Sequence, residues 1–284
     1  MISKIRKRFI PFLILFFIQV SFLYGQPYFD VAGLTGWYLP QNTNEQAPAE
    51  SYVISFLSIP ITLGSSNKII FSPFQENRFL SFNGSENTLA LRSIAVPITL
   101  LHSSKDSSWS FTATFIPRYN SEKFHLGNEF FQIGGAIISI FRLNPDFKLR
   151  IGLYYNKEFF GDYFIPLVGV DWIINNRLQL FGILPNVMKL EYKFTNLFYG
   201  GFQFKSITNS YRAEDGKGYY KLEDNHLGLY ADFYISKRVV FMAEVGHTIL
   251  RKFKNRSQTD FTNFKKDGPV FKAGIYYRLR FENR

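Results

Sequence analysis

Residues 227–235 read LGLYADFYI, and in this stretch Leu227, Leu229, Ala231, Phe233 and Ile235 alternate with Gly228, Tyr230, Asp232 and Tyr234. Side chains with a period of two line opposite faces of an extended strand, so one face here is wholly apolar and the other is small, phenolic or charged. An apolar face suits lipid, and a polar face suits an enclosed interior.

The same alternation recurs on both sides of this stretch. Leu149, Ile151, Leu153 and Tyr155 oppose Arg150, Gly152, Tyr154 and Asn156, and Met188, Leu190, Tyr192 and Phe194 oppose Lys189, Glu191 and Lys193. A helix would bury half of those charges. Phe111, Ala113, Phe115, Pro117 and Tyr119 repeat the pattern against Ser110, Thr112, Thr114, Ile116 and Arg118. A proline forfeits a ladder hydrogen bond, so Pro117 is expected near a strand end. Segments of about ten residues bounded by Gly, Asn, Pro and Ser are the signature of a transmembrane barrel strand.

Connections give a second line of argument, because outer-membrane barrels join their strands by short periplasmic turns and longer external loops. Tight turns are predicted at 64–67, 102–107, 143–146, 175–177, 194–196 and 236–238, and outer loops at about 40–51, 72–87, 120–129, 157–164, 210–220 and 252–268, with a tight hairpin at Pro185 and Asn186 as the exception. The count predicts an all-β, antiparallel transmembrane β-barrel of about fourteen strands, with twelve as the alternative, since an even number returns both termini to the periplasm. The doubtful element is the short hairpin from Arg177 to Phe194. Strand pattern starts at once, in Pro27 to Tyr38, which leaves no room for a plug domain.

At the N-terminus, Lys4, Arg6, Lys7 and Arg8 precede an apolar run from Phe9 to Leu23, broken by Pro11, Gln19 and Ser21. Roughly 15 apolar residues fall short of the ~20 that span a bilayer as a helix, so residues 1–25 are predicted to be a secretory signal peptide and 26–284 the barrel. No later stretch is apolar enough for a membrane helix. The chain has no cysteine, which excludes disulfides, thiolate metal sites, cysteine nucleophiles and a lipoprotein anchor.

Of the +11 formal charge, four units belong to the leader, leaving about +7. Its cations are scattered through strands rather than gathered in a stripe, so no nucleic acid is expected as a partner. Membrane lipid, the phosphates of lipopolysaccharide and the barrel-assembly machinery are the expected partners, and no cofactor is expected. The final strand places Ala273, Ile275, Tyr277, Leu279 and Phe281 on one face against Lys272, Gly274, Tyr276, Arg278 and Arg280. That aromatic-terminated series is similar to the terminal strand recognised during barrel assembly. Phe, Tyr and Trp together make 19% of the chain, with Trp37, Tyr38, Tyr119, Phe159, Phe160, Trp172 and Phe198 near segment ends, as interfacial girdles require.

No G-x-S-x-G, H-E-x-x-H, P-loop or dinucleotide fingerprint occurs. His102 and His125 fall in connections. His247 follows the outward-facing Phe241, Ala243 and Val245, and His226 shares a face with Asp224, Tyr230 and Asp232. One imidazole with two carboxylates is too few ligands for a metal. Arg118, Arg150, Asp171, Lys189, Glu191, Lys193, Lys205, Asp224, His226, Asp232, Glu244, Lys272 and Arg278 are predicted to face the interior. Opposite charges on neighbouring strands pair, so these residues form either a rigid ionic scaffold or the lining of a pore whose surplus of cations favours anions.

From residue 151 onward, the runs IGLYYNKEFFGDYFIPLVGVDWIINNRLQLFGILPNVMKLEYKF, ITNSYR and HLGLYADFYISKRVVFMAEVGHTILRKF resemble an uncharacterised family of bacterial outer-membrane barrels. The resemblance implies fold and location and carries no catalytic residue. Three functions fit: a passive channel, transporter or structural surface protein; an outer-leaflet lipid-modifying enzyme using His226 or His247; and a soluble secreted β-barrel that binds a ligand.

Overall fold

The computed structural model describes residues 27–41, 47–82, 88–124, 127–259 and 261–281. The predicted signal peptide and parts of four predicted outer loops, His125 among them, lie outside the described residues. Fourteen strands form one closed antiparallel barrel. They are β1 (Tyr28–Leu39), β2 (Ala49–Leu57, continued by Ile59–Leu63), β3 (Asn67–Phe71, continued by Phe74–Ser81), β4 (Thr88–Ala95, continued by Ile98–Ser103) and β5 (Trp109–Ser121). There follow β6 (Phe131–Asn144), β7 (Phe147–Glu158), β8 (Gly161–Ile173), β9 (Leu178–Leu184), β10 (Val187–Lys193), β11 (Phe198–Arg212), β12 (Tyr219–Tyr234), β13 (Val239–Asn255) and β14 (Pro269–Arg280). Closure is made by β1, which pairs with β2 on one side and β14 on the other.

The period-two pattern decides which side chains face out. Leu229, Phe233 and Ile235 are 52%, 45% and 70% exposed on the outside of β12, whereas Tyr230 between them is 4% exposed. The same contrast holds on β14, where Phe271 and Ile275 face out and Val270, Lys272 and Arg278 are buried inside. Closure leaves no sheet edge to satisfy along most of the circumference, which is the condition for an all-β surface this apolar.

Connections are short at the end holding Pro27 and Phe281, the turn end, where the N–H of Phe281 donates to the carbonyl of Pro27 at 2.8 Å. In one of these turns, exposed Asp106 accepts from the Ser104 hydroxyl and from the Ser108 N–H and hydroxyl, and its carboxyl is pulled down to about 2 by those bonds, Ser104 first.

Two predicted loops are corrected. Phe74–Ser81 is strand, and the break lies at Ser72 and Pro73; the polar run Gln75 to Arg78 conceals an alternation that sends Glu76, Arg78 and Leu80 inward. Residues 161–164 likewise belong to β8, which a two-residue turn at Phe159 and Phe160 joins to β7. Pro117 sits inside β5 and not at its end. Its carbonyl accepts from Val96, at the interruption of β4 between Ala95 and Ile98, so its missing N–H faces a gap in the ladder.

One hairpin departs from the rest. β9 and β10 have seven residues each, against 13 in β8 and 15 in β11. Consequently β9 covers only Val168–Ile173 of β8, and β10 covers only residues 199–205 of β11. Beyond the hairpin tip β11 leans into the barrel, and Arg212 meets Ser121 of β5 in a parallel bridge.

Candidate functional site

The barrel interior is the candidate site, and it divides along its length. One side, made by β1–β3 and β11–β14, is filled with charge. Nearest the turn end, Arg278 donates to Asp30 at 2.6 Å and Asp232 at 2.5 Å and lies 3.7 Å over the Tyr28 ring, while Lys189 donates to the Tyr28 hydroxyl at 2.9 Å. Arg280 donates to Glu191 at 2.8 Å, and Tyr230 donates to the same carboxylate at 3.2 Å. Midway, Lys272 and Gln203 both donate to Glu244, at 2.7 and 2.9 Å, and the Lys205 ammonium lies 5.3 Å from the Trp37 ring.

The next layer is organised by Glu50, which is fully buried and accepts from Trp37 Nε1 at 3.1 Å, from Arg251 at 2.6 Å and from Arg78. Arg78 reaches Asp224 at 3.7 Å, and Nε2 of His226 is 2.8 Å from the same carboxylate. Tyr52 stacks on Trp37, and the Tyr52 and Tyr211 hydroxyls donate to Glu76 at 2.5 and 2.8 Å. Glu50, Arg78, Asp224, His226 and Asp232 are each 0% exposed. Isolated buried charges would be prohibitively costly, and mutual pairing is what allows them here.

The other side, on the inner faces of β4–β8, is different in kind. Thr99, Leu101, Thr112, Thr114, Ile116, Ala136, Ile138, Gly152 and Tyr154 point inward, and all are only half-buried. Water-sized space therefore touches a wall of hydroxyls and aliphatic groups. Charge reappears near its turn end, where Arg150 donates to Asp171 at 2.9 and 2.6 Å.

A polar seal closes the loop end of this side. The Ser210 hydroxyl donates to Glu158 at 2.5 Å, Gln132 donates to Glu158 at 2.9 Å, and Asn120 donates to Gln132 at 2.7 Å. Arg118 joins the two halves by donating to Asn209 at 2.7 Å. Above the charged side lies an apolar cap of Leu80, Leu89, Leu91, Tyr220, Leu222 and Phe253.

The structure thus places Asp224, His226, Asp232, Glu244, Lys272 and Arg278 in three buried layers of one side, with Glu191 and Lys189 beside them. Arg150 and Asp171 form a separate pair, Arg118 sits at the seal, and half-buried Lys205 faces the interior beside Trp37. Lys193 stands at the turn end of β10, where its N–H donates to the Arg177 carbonyl at 2.7 Å. Ala273, Ile275, Tyr277 and Leu279 face outward on β14, and Phe281 follows that strand. His247 has Nδ1 2.6 Å from the Thr248 carbonyl and pairs with Leu227, so it neighbours His226 in the ladder but faces the opposite side of the wall. Among the described residues no cluster of three or more His, Asp or Glu is placed to hold a metal.

Asp30, Glu50, Glu76, Arg78, Gln132, Glu158 and Arg251 also belong to the interior and were not predicted, and Trp37, expected in an interfacial girdle, instead turns inward onto Glu50. For Glu76, Arg78 and Leu80 the signal was present as a period of two, hidden in a run that reads as loop. For Arg251 it was broken by Leu250, whose positive φ of 56° shifts the alternation by one residue.

The family model for a domain of unknown function, DUF6268, matches residues 82–284. The chain belongs to this family. The family match spans β4 to β14 and so takes in the seal and the short hairpin. The sequence matches no curated protein. Among solved structures, this DUF6268 fold is similar to an outer membrane channel from Pseudomonas putida F1, at 7% identity, with 91% of this chain and 98% of that chain covered and a TM-score of 0.51. It is also aligned with the toluene transporter of P. putida (9% identity, 89% and 90% covered, TM-score 0.42) and with the translocator domain of an autotransporter from Neisseria meningitidis (11%, 98% and 96%, 0.42). At these identities the likeness is one of fold.

Proposed function

We propose that this protein is a non-enzymatic passive channel of the outer membrane, with the turn end in the periplasm and the loop end outside. The observation that carries this reading is the division of the interior. A barrel built only as a scaffold has no need to leave one wall half-buried along its length while the other buries most of its charged side chains.

The wall of β4–β8 offers hydroxyls and aliphatic groups, and half-buried Lys205 faces the same interior from β11. That lining suits small solutes with an apolar body, neutral or singly negative, better than free inorganic ions. Catalysis at His226 is disfavoured because neither it nor Asp224 is reachable from either mouth. A soluble secreted barrel is disfavoured by the exposed Phe, Leu and Ile of every outward face. Recognition of β14 by the assembly machinery and contact of the external cations with lipopolysaccharide are part of the same proposal.

The test is swelling of vesicles that contain the purified protein in isosmotic salts of short-chain carboxylates, whose apolar body and single charge match this lining. Wild type is expected to swell, and Thr114→Trp, which fills the open wall, to slow swelling at least fivefold. Absence of swelling in wild type, or equal rates in the variant, contradicts the proposal.

A further inference from the structure

The short hairpin leaves a break in the barrel wall. Residues 161–167 of β8 and 206–212 of β11 extend beyond the hairpin tip, and among the described residues no strand lies between them. Strand edges carry N–H and C=O groups that hydrocarbon cannot satisfy, so at membrane depth such edges must meet protein or line a cavity.

On β11 most of that edge is satisfied. Ser206 N–H donates to the Asn186 carbonyl at 2.9 Å and Ser210 N–H to Glu158 at 3.0 Å, and the Arg212 carbonyl accepts from Glu122 N–H at 2.9 Å. The break is also roofed: Phe159 N–H donates to the Ser210 hydroxyl at 2.9 Å, and the Arg212 guanidinium lies 4.1 Å over the Phe159 ring. What remains is a window, with Pro185 and Asn186 as its sill and Phe159 as its lintel.

Its two sides differ chemically. The outward face of β11 runs Phe198, Phe202, Phe204 and then, where the hairpin stops, the half-buried Ser206 and Thr208, before Ser210 turns into the seal. Across the break β8 presents Phe164, 61% exposed, and Pro166. Behind the window the inner face of β8 carries Ile165 and Leu167, next to Tyr154 of β7 and continuous with the open wall.

Resting on the channel reading, we propose that this window is a lateral exit from the barrel interior into the outer leaflet, taken by molecules with an apolar body and one small polar head. The hydroxylated side meets the head and the aromatic side meets the body. The polar seal at Glu158 and Ser210 blocks the axial route on this side, which makes the sideways route the shorter one.

The absence of native cysteine makes the test clean. A small fluorophore is attached to Ile165→Cys, and the protein is reconstituted in phosphatidylcholine vesicles carrying a nitroxide on the acyl chain, or bathed in iodide. Acyl-chain quenching is expected at Ile165 to within twofold of that at an outward control, Leu180→Cys, and to be absent at an interior control, Thr114→Cys. Lengthening β9 and β10 by two residues each is expected to abolish it. Bridging cysteines at Pro166 and Thr208 with a bifunctional maleimide closes the same window without altering the hairpin.

A label at Ile165 quenched by iodide alone, like that at Thr114, overturns the window even if the vesicles swell, and leaves the channel standing. Quenching by lipid in vesicles that never swell overturns the exit and the channel together, and leaves a lipid-filled groove.

Discussion

At the scale of single residues, the interior is held by carboxylates that serve several donors at once. Glu50 is the clearest, since Trp37, Arg78 and Arg251 all converge on it from three other strands. Removing one partner of a buried ion pair leaves the others desolvated and uncompensated, at a cost of about 3–5 kcal/mol. Glu50→Ala is therefore expected to lower resistance to urea unfolding by that amount, read from the shift between folded and unfolded bands on gels, while Glu50→Gln, which keeps an acceptor, loses less than half of it. Equal losses would show that the charge network is not what holds the layer. Residue roles were legible where the alternation is unbroken: Asp224, His226, Asp232 and Glu244 follow from position alone in β12 and β13. Glu50 was not legible, because it is the second residue of β2 and falls inside the predicted 40–51 loop, where nothing local marks a residue as buried.

Among elements, β9 and β10 decide the most, because their shortness lets β11 turn inward. Gly182 stands at the centre of this hairpin with φ of +133°, and a Cβ there would lie 2.2 Å from the Val187 carbonyl oxygen. Non-glycine residues held in such backbone regions cost of order 1–3 kcal/mol. Gly182→Val is expected to destabilise the barrel by roughly that much and to raise protease cleavage between Arg177 and Phe194, with cleavage elsewhere unchanged; uniform sensitivity would assign the strain to the whole sheet. The hairpin itself was readable from Pro185 and Asn186, and so was its unusual length. Its consequence was not, since the bridge between Arg212 and Ser121 joins residues far apart in sequence. In hindsight the change from Phe204 to Ser206, Thr208 and Ser210 marks the point where the outward face of β11 leaves lipid.

For the whole molecule, strand number and closure followed from turn spacing, because each turn is a local chemical event written in Gly, Asn, Ser and Pro. The division of the interior into a filled and an open side is a property of the closed ring. It depends on which inward faces oppose one another, and a single strand carries no record of its opposite. Labelling of single cysteines by a membrane-impermeant maleimide distinguishes the two sides. Rapid labelling is expected for Thr112→Cys, Thr114→Cys and Ile138→Cys in folded protein, and at least tenfold slower labelling for Tyr230→Cys and Met242→Cys on the filled side. Equal rates on the two sides, or the reverse order, would contradict the division.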